Sequence, residues 1–228
     1  MEEFLGVLFC GGRGTRLGKI TQYISKSFIP IYDRPVFRFG LDLLEKSGNI
    51  DEIVILTNDD NDEKLKGVGY PTIVQDDKLV FDMFSGWEYI KKATGTQKHG
   101  VLMPSDNISN IDVDKLVQIF RDEKVELVFS LFKIRDQKKL SQMGCYDPQK
   151  RKFYYKNSHP PTQLGVVAPY IVQNSLRVNS GDNILNHQNS AFIEHKGYWF
   201  DIGDYESIIE ASIFIMNMIT KEESNVNR

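Results

Sequence analysis

Short apolar runs recur along the chain, and the stretches between them place apolar residues at helical spacing. Phe4 to Cys10, Ile53-Val54-Ile55-Leu56, Thr72-Ile73-Val74, Gly100-Val101-Leu102-Met103 and Leu127-Val128-Phe129-Ser130-Leu131 are nearly continuous in apolar character. Strands covered on both faces read this way. Val36 to Leu44, Leu79 to Ile90 and Val113 to Phe120 predict helices, and Pro35 suits a first helical position. The alternation predicts an α/β layered fold with a mostly parallel sheet. After about residue 140 the rhythm changes. Phe153-Tyr154-Tyr155 and Leu164-Gly165-Val166-Val167 predict short strands. Phe192-Ile193-Glu194 and Tyr198-Trp199-Phe200 predict a hairpin turning at Lys196-Gly197, followed by a helix from Tyr205 to Ile219 with Asp204 as its N-cap.

Within that last helix, residues 213–219 are apolar nearly all round. Core burial is the plain expectation and a contact between subunits of a homo-oligomer the second. Asn58 to Glu63 carries four carboxylates and predicts a solvated loop. No repeat or linker interrupts the chain, so residues 1–220 are expected to form one domain and residues 221–228 a frayed polar tail.

A chain of 228 residues, 41% of them hydrophobic, can bury one sizeable core. A net charge of −3 gives no global field for nucleic acid or an anionic membrane. The acidic start Met1-Glu2-Glu3 and its short apolar run match neither a signal peptide nor a membrane span. Two cysteines, Cys10 and Cys145, make no disulfide framework, which points to a reducing compartment and the cytoplasm.

The most informative chemistry follows the first predicted strand. Gly11-Gly12-Arg13-Gly14-Thr15-Arg16-Leu17 lets backbone approach phosphate oxygens closely and aim N–H groups at them. Arg16 adds a planar charged fork and Lys26 a point charge, so the segment reads as a polyphosphate binder. A P-loop would end in Gly-Lys-Ser/Thr, and a dinucleotide fingerprint would need Gly where Leu17 stands. Two acids complete the picture. Asp106 follows the strand ending at Met103, and Asp201 follows Tyr198-Trp199-Phe200. Each alone reads as a turn or cap. Together, beside a polyphosphate loop, they would make a Mg²⁺ clamp, because magnesium takes one or two carboxylates plus substrate phosphates.

These residues carry a resemblance. Gly11 to Leu17, Ser25-Lys26-Ser27-Phe28-Ile29-Pro30-Ile31, Ser105-Asp106-Asn107 and Trp199-Phe200-Asp201-Ile202-Gly203 with Ser207, Glu210 and Ala211 resemble the sugar-1-phosphate nucleotidyltransferases. The glucose-1-phosphate thymidylyltransferase branch is the nearest in pattern. The resemblance implies a Rossmann-like three-layer fold, with residues 1–140 as the nucleotide-binding half and residues 141–220 as a small acceptor-binding lobe. It implies transfer of NMP from a pyrimidine NTP to a phosphorylated acceptor, with release of pyrophosphate, in surface polysaccharide (capsule) precursor synthesis. No nucleophilic His or Cys is needed, since an acceptor phosphate with a second pKa near ~6 is already largely dianionic at neutral pH. The implied catalytic residues are Arg16, on the pyrophosphate, and Lys26, on the α-phosphate. Gly11, Gly12, Gly14, Thr15, Gln75 and Ser105 are the implied nucleotide contacts, with Gln75 at the base. Asn107 and Lys156 are the implied acceptor contacts, and Asp106 and Asp201 hold Mg²⁺.

The sequence departs from the pattern at two places. The glycine expected under the base is replaced near Lys78, which leaves dTTP, UTP and CTP open. The Glu-Lys-Pro of the acceptor lobe becomes Tyr155-Lys156-Asn157, losing a carboxylate for sugar hydroxyls. A cytidylyltransferase acting on a phosphorylated non-sugar, of phosphocholine or phospho-amino-acid type, is therefore the alternative. A nucleotide-binding regulatory protein without turnover is the second.

Overall fold

The computed structural model describes residues 2–177 and 184–226. At its centre β1 (Phe4–Phe9) runs parallel to β4 (Glu52–Thr57) on one side and β6 (His99–Pro104) on the other. Beyond β4 lies β5 (Thr72–Val74), also parallel. Consecutive side chains of β1 alternate between two buried clusters, Phe4 and Leu8 on one face and Leu5 and Val7 on the other. That double burial explains the unbroken apolar runs: each fully buried Leu, Val or Phe contributes about 1.5–3 kcal/mol.

Helices α1 (Phe37–Lys46) and α4 (Val113–Glu123) cover one face through Leu41, Leu44, Leu116 and Val117. The opposite face takes α3 (Met83–Thr94) through Phe84, Trp87 and Ile90. This gives the three layers expected of the fold. In the second half, β11 (Leu164–Val172) enters antiparallel to β6 and to β8 (Leu127–Lys133), and β12 (Ser190–His195) adds a parallel strand beyond β8. Strands β9 (Gly144–Asp147) and β10 (Lys152–Tyr155) extend the sheet from the start of β11.

A third cluster lies apart from the sheet. Helix α6 (Tyr205–Val226) buries Ala211 and Ile215 against Leu17, Ile29, Ile31, Ile108 and Ile202. This cluster ties together the short hairpin of β2 (Pro30–Ile31) and β3 (Arg34–Pro35) and the ribbon of β7 (Asn107–Ser109) and β13 (Trp199–Asp201).

Five local expectations are corrected. Residues 192–194 and 198–200 do not form a hairpin: β12 joins the main sheet beside β8, whereas β13 pairs antiparallel with β7. Long-range pairing between two apolar segments wins over local turn chemistry. The acidic stretch after Asn58 is helix α2 (Asp59–Leu65), capped by Asn58 Oδ1, which accepts from the Asn61 N–H at 3.0 Å. Its early carboxylates complement the positive helix start, so a charge run that reads as loop is a capped helix. Pro35 lies in β3, and α1 begins two residues later. Helix α3 begins at Met83, fixed by an Asp82–Ser85 capping box, rather than at Leu79. Helix α6 continues through Val226, so six residues of the expected tail are helical. The apolar 213–219 segment buries Ile215 but leaves Ile213 half exposed.

Candidate active site

The carboxyl ends of β6, β1, β4 and β5 lie in a row in that order, so the segments that leave them converge. The Cys10 N–H bonds to Leu56 O at 2.7 Å, Gln75 N–H to Thr57 O at 2.7 Å, and Ser105 N–H to Phe9 O at 3.2 Å. This is where an open α/β sheet presents ligands. The glycine loop leaves β1 here. Gly14 adopts the left-handed φ of 62° that turns the chain into a short 3₁₀ segment, Thr15–Gln22. The side chain of Thr15 lies outside the described residues. Gly11 lies under the carboxamide of Gln75, where an added Cβ would stand 2.1 Å from Gln75 Oε1. Only a glycine lets that amide lie across the loop.

Two asparagines hold the loop from below. Asn61 is fully buried and donates to Cys10 O at 2.8 Å and Ser25 Oγ at 2.9 Å. Asn58 donates to Gly11 O at 3.1 Å. Sequence reading missed both because it took their segment for a solvated loop; the Asn-capped first turn was the signal. Arg13 pairs with Asp77, tying the loop's outer rim to the segment after Gln75. Ser27 and Ser105 share a hydroxyl bond of 2.9 Å in the buried floor.

The β7–β13 ribbon brings the two acids together. Asp201 lies directly opposite Asn107 in the register, and Ile202 N–H donates to Asp106 O at 2.9 Å. Asn107 Nδ2 donates to Asp106 Oδ1 at 3.0 Å and to Asp201 Oδ1 at 3.3 Å. Asp106 Oδ2 pairs with Lys26, whose side chain is only 9% exposed. A methyl placed on Gly203 would stand 3.3 Å from Asp201 Oδ2 and 3.6 Å from Arg16 Cζ, so these two groups reach the same spot. Burial and the Asp106 charge push the Asp201 carboxyl above the usual carboxylate range, against the pull of Lys26, Arg16 and Lys139.

The expected residues divide between two hollows. Gly11, Gly12, Lys26, Gln75, Ser105 and Asp106 line a cavity of about 590 Å³. Arg16 and Asp201 line a neighbouring cavity of about 330 Å³ with Lys139 and Ser207. Gly14 packs against the Lys26 stem. Asn107 is buried between the two acids. Lys156 lines neither cavity: it is exposed, and its ammonium lies 4.9 Å from the Tyr155 ring centroid. Cys10 is fully buried and its thiol is pushed up to about 12, so it supplies no nucleophile at neutral pH. None of the four histidines lines either cavity.

The donor set fits a hard divalent cation. Two carboxylates held by one amide repel each other, and a cation between them relieves that repulsion. Among the described residues no three His, Cys, Asp or Glu side chains converge. The remaining ligands would therefore be phosphate oxygens and water, the usual pattern for Mg²⁺.

The chain belongs to the nucleotidyl transferase family, whose sequence profile matches residues 5–175. Its place in that family makes it an enzyme of nucleotidyl transfer. It is similar to the low-salt glycan biosynthesis nucleotidyltransferase Agl11 of Haloferax volcanii, at 24% identity over 92% of this chain and 66% of that protein. It is equally similar, at 24% identity, to a glucose-1-phosphate thymidylyltransferase of Neisseria meningitidis serogroup A, over 93% of this chain and 83% of the relative. A putative glucose-1-phosphate thymidylyltransferase structure from Bacillus anthracis shares the fold with a TM-score of 0.79 at 20% identity, covering 92% of this chain and 94% of that one. Among the described residues no helix is long and apolar enough to cross a membrane.

Proposed function

We propose that the chain transfers the NMP group of a pyrimidine NTP to a sugar 1-phosphate and releases pyrophosphate, in the cytoplasm, supplying activated sugar for a surface glycan. The observation that carries this reading is the Asp106–Asn107–Asp201 bridge beside Lys26, at the rim of the glycine-loop cavity. The name of the Haloferax relative supports a glycan role, and that of the Neisseria relative a sugar 1-phosphate acceptor and a pyrimidine nucleotide.

In this reading an oxygen of the acceptor phosphate attacks the α-phosphorus in line. The bond to the β-phosphate oxygen breaks, and pyrophosphate leaves with that electron pair. No proton need be removed from the nucleophile, so positioning and charge neutralisation carry the catalysis. Lys26 offers its charge to the α-phosphate. Arg16, exposed and without an ion-pair partner among the described residues, receives the pyrophosphate. Gly11, Gly12 and Gly14 give backbone N–H groups to the phosphates, and Gln75 presents its amide to the base. Asp106 and Asp201 would hold Mg²⁺, which draws charge off the reacting phosphates when bound. Asn107 keeps both carboxylates facing that position.

One observation favours the alternative acceptor. The Glu206 and Glu210 carboxylates stand in the wall of the smaller cavity with no side-chain hydrogen bond or ion pair among the described residues. They match a phosphorylated compound bearing an ammonium group, as in a phosphocholine cytidylyltransferase. A panel of dTTP, UTP, CTP, ATP and GTP against glucose 1-phosphate, glucosamine 1-phosphate and phosphocholine, scored by pyrophosphate release, tests both. We expect one pyrimidine NTP to be preferred with one acceptor. A purine preference overturns the Gln75 role, and no release with any pair overturns the transfer reading.

A further inference from the structure

We propose that Lys139, rather than Lys156, is the cation that grips the phosphate of the acceptor. This assignment rests on the transfer reading above and deepens it. Lys139 belongs to α5 (Gln137–Gln142), which Asp136 caps by accepting from the Lys138 and Lys139 N–H groups at 2.8 and 3.1 Å. That cap fixes the turn against the smaller cavity, and Lys139 lines the cavity beside Arg16 and Asp201.

The Lys139 ammonium sits 5.5 Å from the Trp199 ring centroid, held over an aromatic face. It has no ion-pair partner among the described residues, so its donors are open to an anion. Trp199 in turn bonds Asn107, the residue that holds Asp106 and Asp201. Lys139 is thus linked to the metal-binding pair through Trp199 and Asn107, on the acceptor side of it. Lys156 has none of these relations. Its N–H donates to Met143 O at 2.9 Å, and its ammonium lies over Tyr155, outside both cavities. With the glutamate of the acceptor lobe replaced by Tyr155, the neighbouring lysine is drawn to an exposed ring. The phosphate-gripping charge is left to α5.

The test compares wild type, Lys139→Met, Lys139→Arg and Lys156→Met in two measurements. First, inorganic phosphate is titrated calorimetrically into protein saturated with Mg²⁺ and NTP, so that the glycine loop is filled. Lys139→Met is expected to weaken phosphate binding at least tenfold, and Lys156→Met less than twofold. Second, with the acceptor found in the panel, Lys139→Met is expected to raise the acceptor KM at least tenfold with the NTP KM within twofold, and Lys139→Arg to recover most of it. A purely structural role would move both KM values and would not be rescued by Arg. Failure of wild type to bind phosphate, or a larger effect at Lys156 than at Lys139, overturns the proposal. Loss of phosphate binding in Lys139→Met without pyrophosphate release from wild type would retain this site and overturn the transfer reading instead.

Discussion

The indole N–H of Trp199 donates to Asn107 Oδ1 at 2.9 Å, and both residues are buried. An indole only donates, so this bond orients the amide: Oδ1 faces Trp199, and Nδ2 faces the carboxylates of Asp106 and Asp201. Trp199→Phe removes the donor and leaves a buried acceptor unpaired, at a cost of about 1–3 kcal/mol. We expect a lowered Tm and a roughly 10–100-fold higher Mg²⁺ requirement, the range for a residue that supports metal ligands. An unchanged Mg²⁺ titration would remove Trp199 from the site.

The raised Asp201 carboxyl predicts opposite effects on stability and activity. Its folded state holds a proton more tightly than the unfolded chain, so its contribution is most favourable at low pH and is lost as pH rises through the raised value. Asp201→Asn relieves the repulsion, and should raise the Tm at pH 7 while leaving it nearly unchanged near pH 3. The same variant should lose pyrophosphate release by about 100-fold or more, the scale of a removed electrostatic group. Thermal melts across pH, set beside turnover, check both. A Tm lowered at pH 7 would contradict the charge argument.

Gly11→Ala places a methyl where Gln75 Oε1 lies 2.1 Å away. The flexible Gln75 side chain must swing off the loop. We expect the Tm to change little, and the NTP KM to rise by about tenfold with weakened base selectivity, as for a lost polar contact in a recognition site. Kinetics with the preferred and a non-preferred NTP measure this directly.

Asn61 donates to two backbone or hydroxyl acceptors under the loop. Asn61→Leu strips those bonds from a fully buried position, and a loss of about 1–3 kcal/mol is expected. Denaturant unfolding gives that value. NTP binding should weaken with it, because the glycine loop loses its floor.

Cys10, with its thiol at about 12 and no exposure, should resist iodoacetamide at pH 8 while the chain is folded. Mass spectrometry of native and urea-unfolded samples distinguishes protection from intrinsic unreactivity.

Much of this was legible along the chain, for definite reasons. The alternation of Phe4, Leu5, Val7 and Leu8 between two clusters is written as a continuous apolar run, since a strand covered on both faces needs apolar groups at every position. The glycine loop was legible because the left-handed turn at Gly14 and the close approach of Gln75 to Gly11 both call for residues without side chains. The caps at Asn58 and Asp82 were read less well. Their signals are local, but the charge run beside Asn58 and the apolar Leu79–Phe81 run before Asp82 masked them.

By itself, then, the sequence determined the layered α/β core, the glycine turn and the two acids, because periodicity and residue chemistry are local properties. Tertiary structure alone decided the partner of Trp199–Asp201. By joining Asn107–Ser109 rather than the nearer Phe192–Glu194, it set Asp201 beside Asp106 across a sequence gap no local rule spans. The same packing placed Lys139 in the cavity and left Lys156 outside it, since side-chain destination depends on which elements meet.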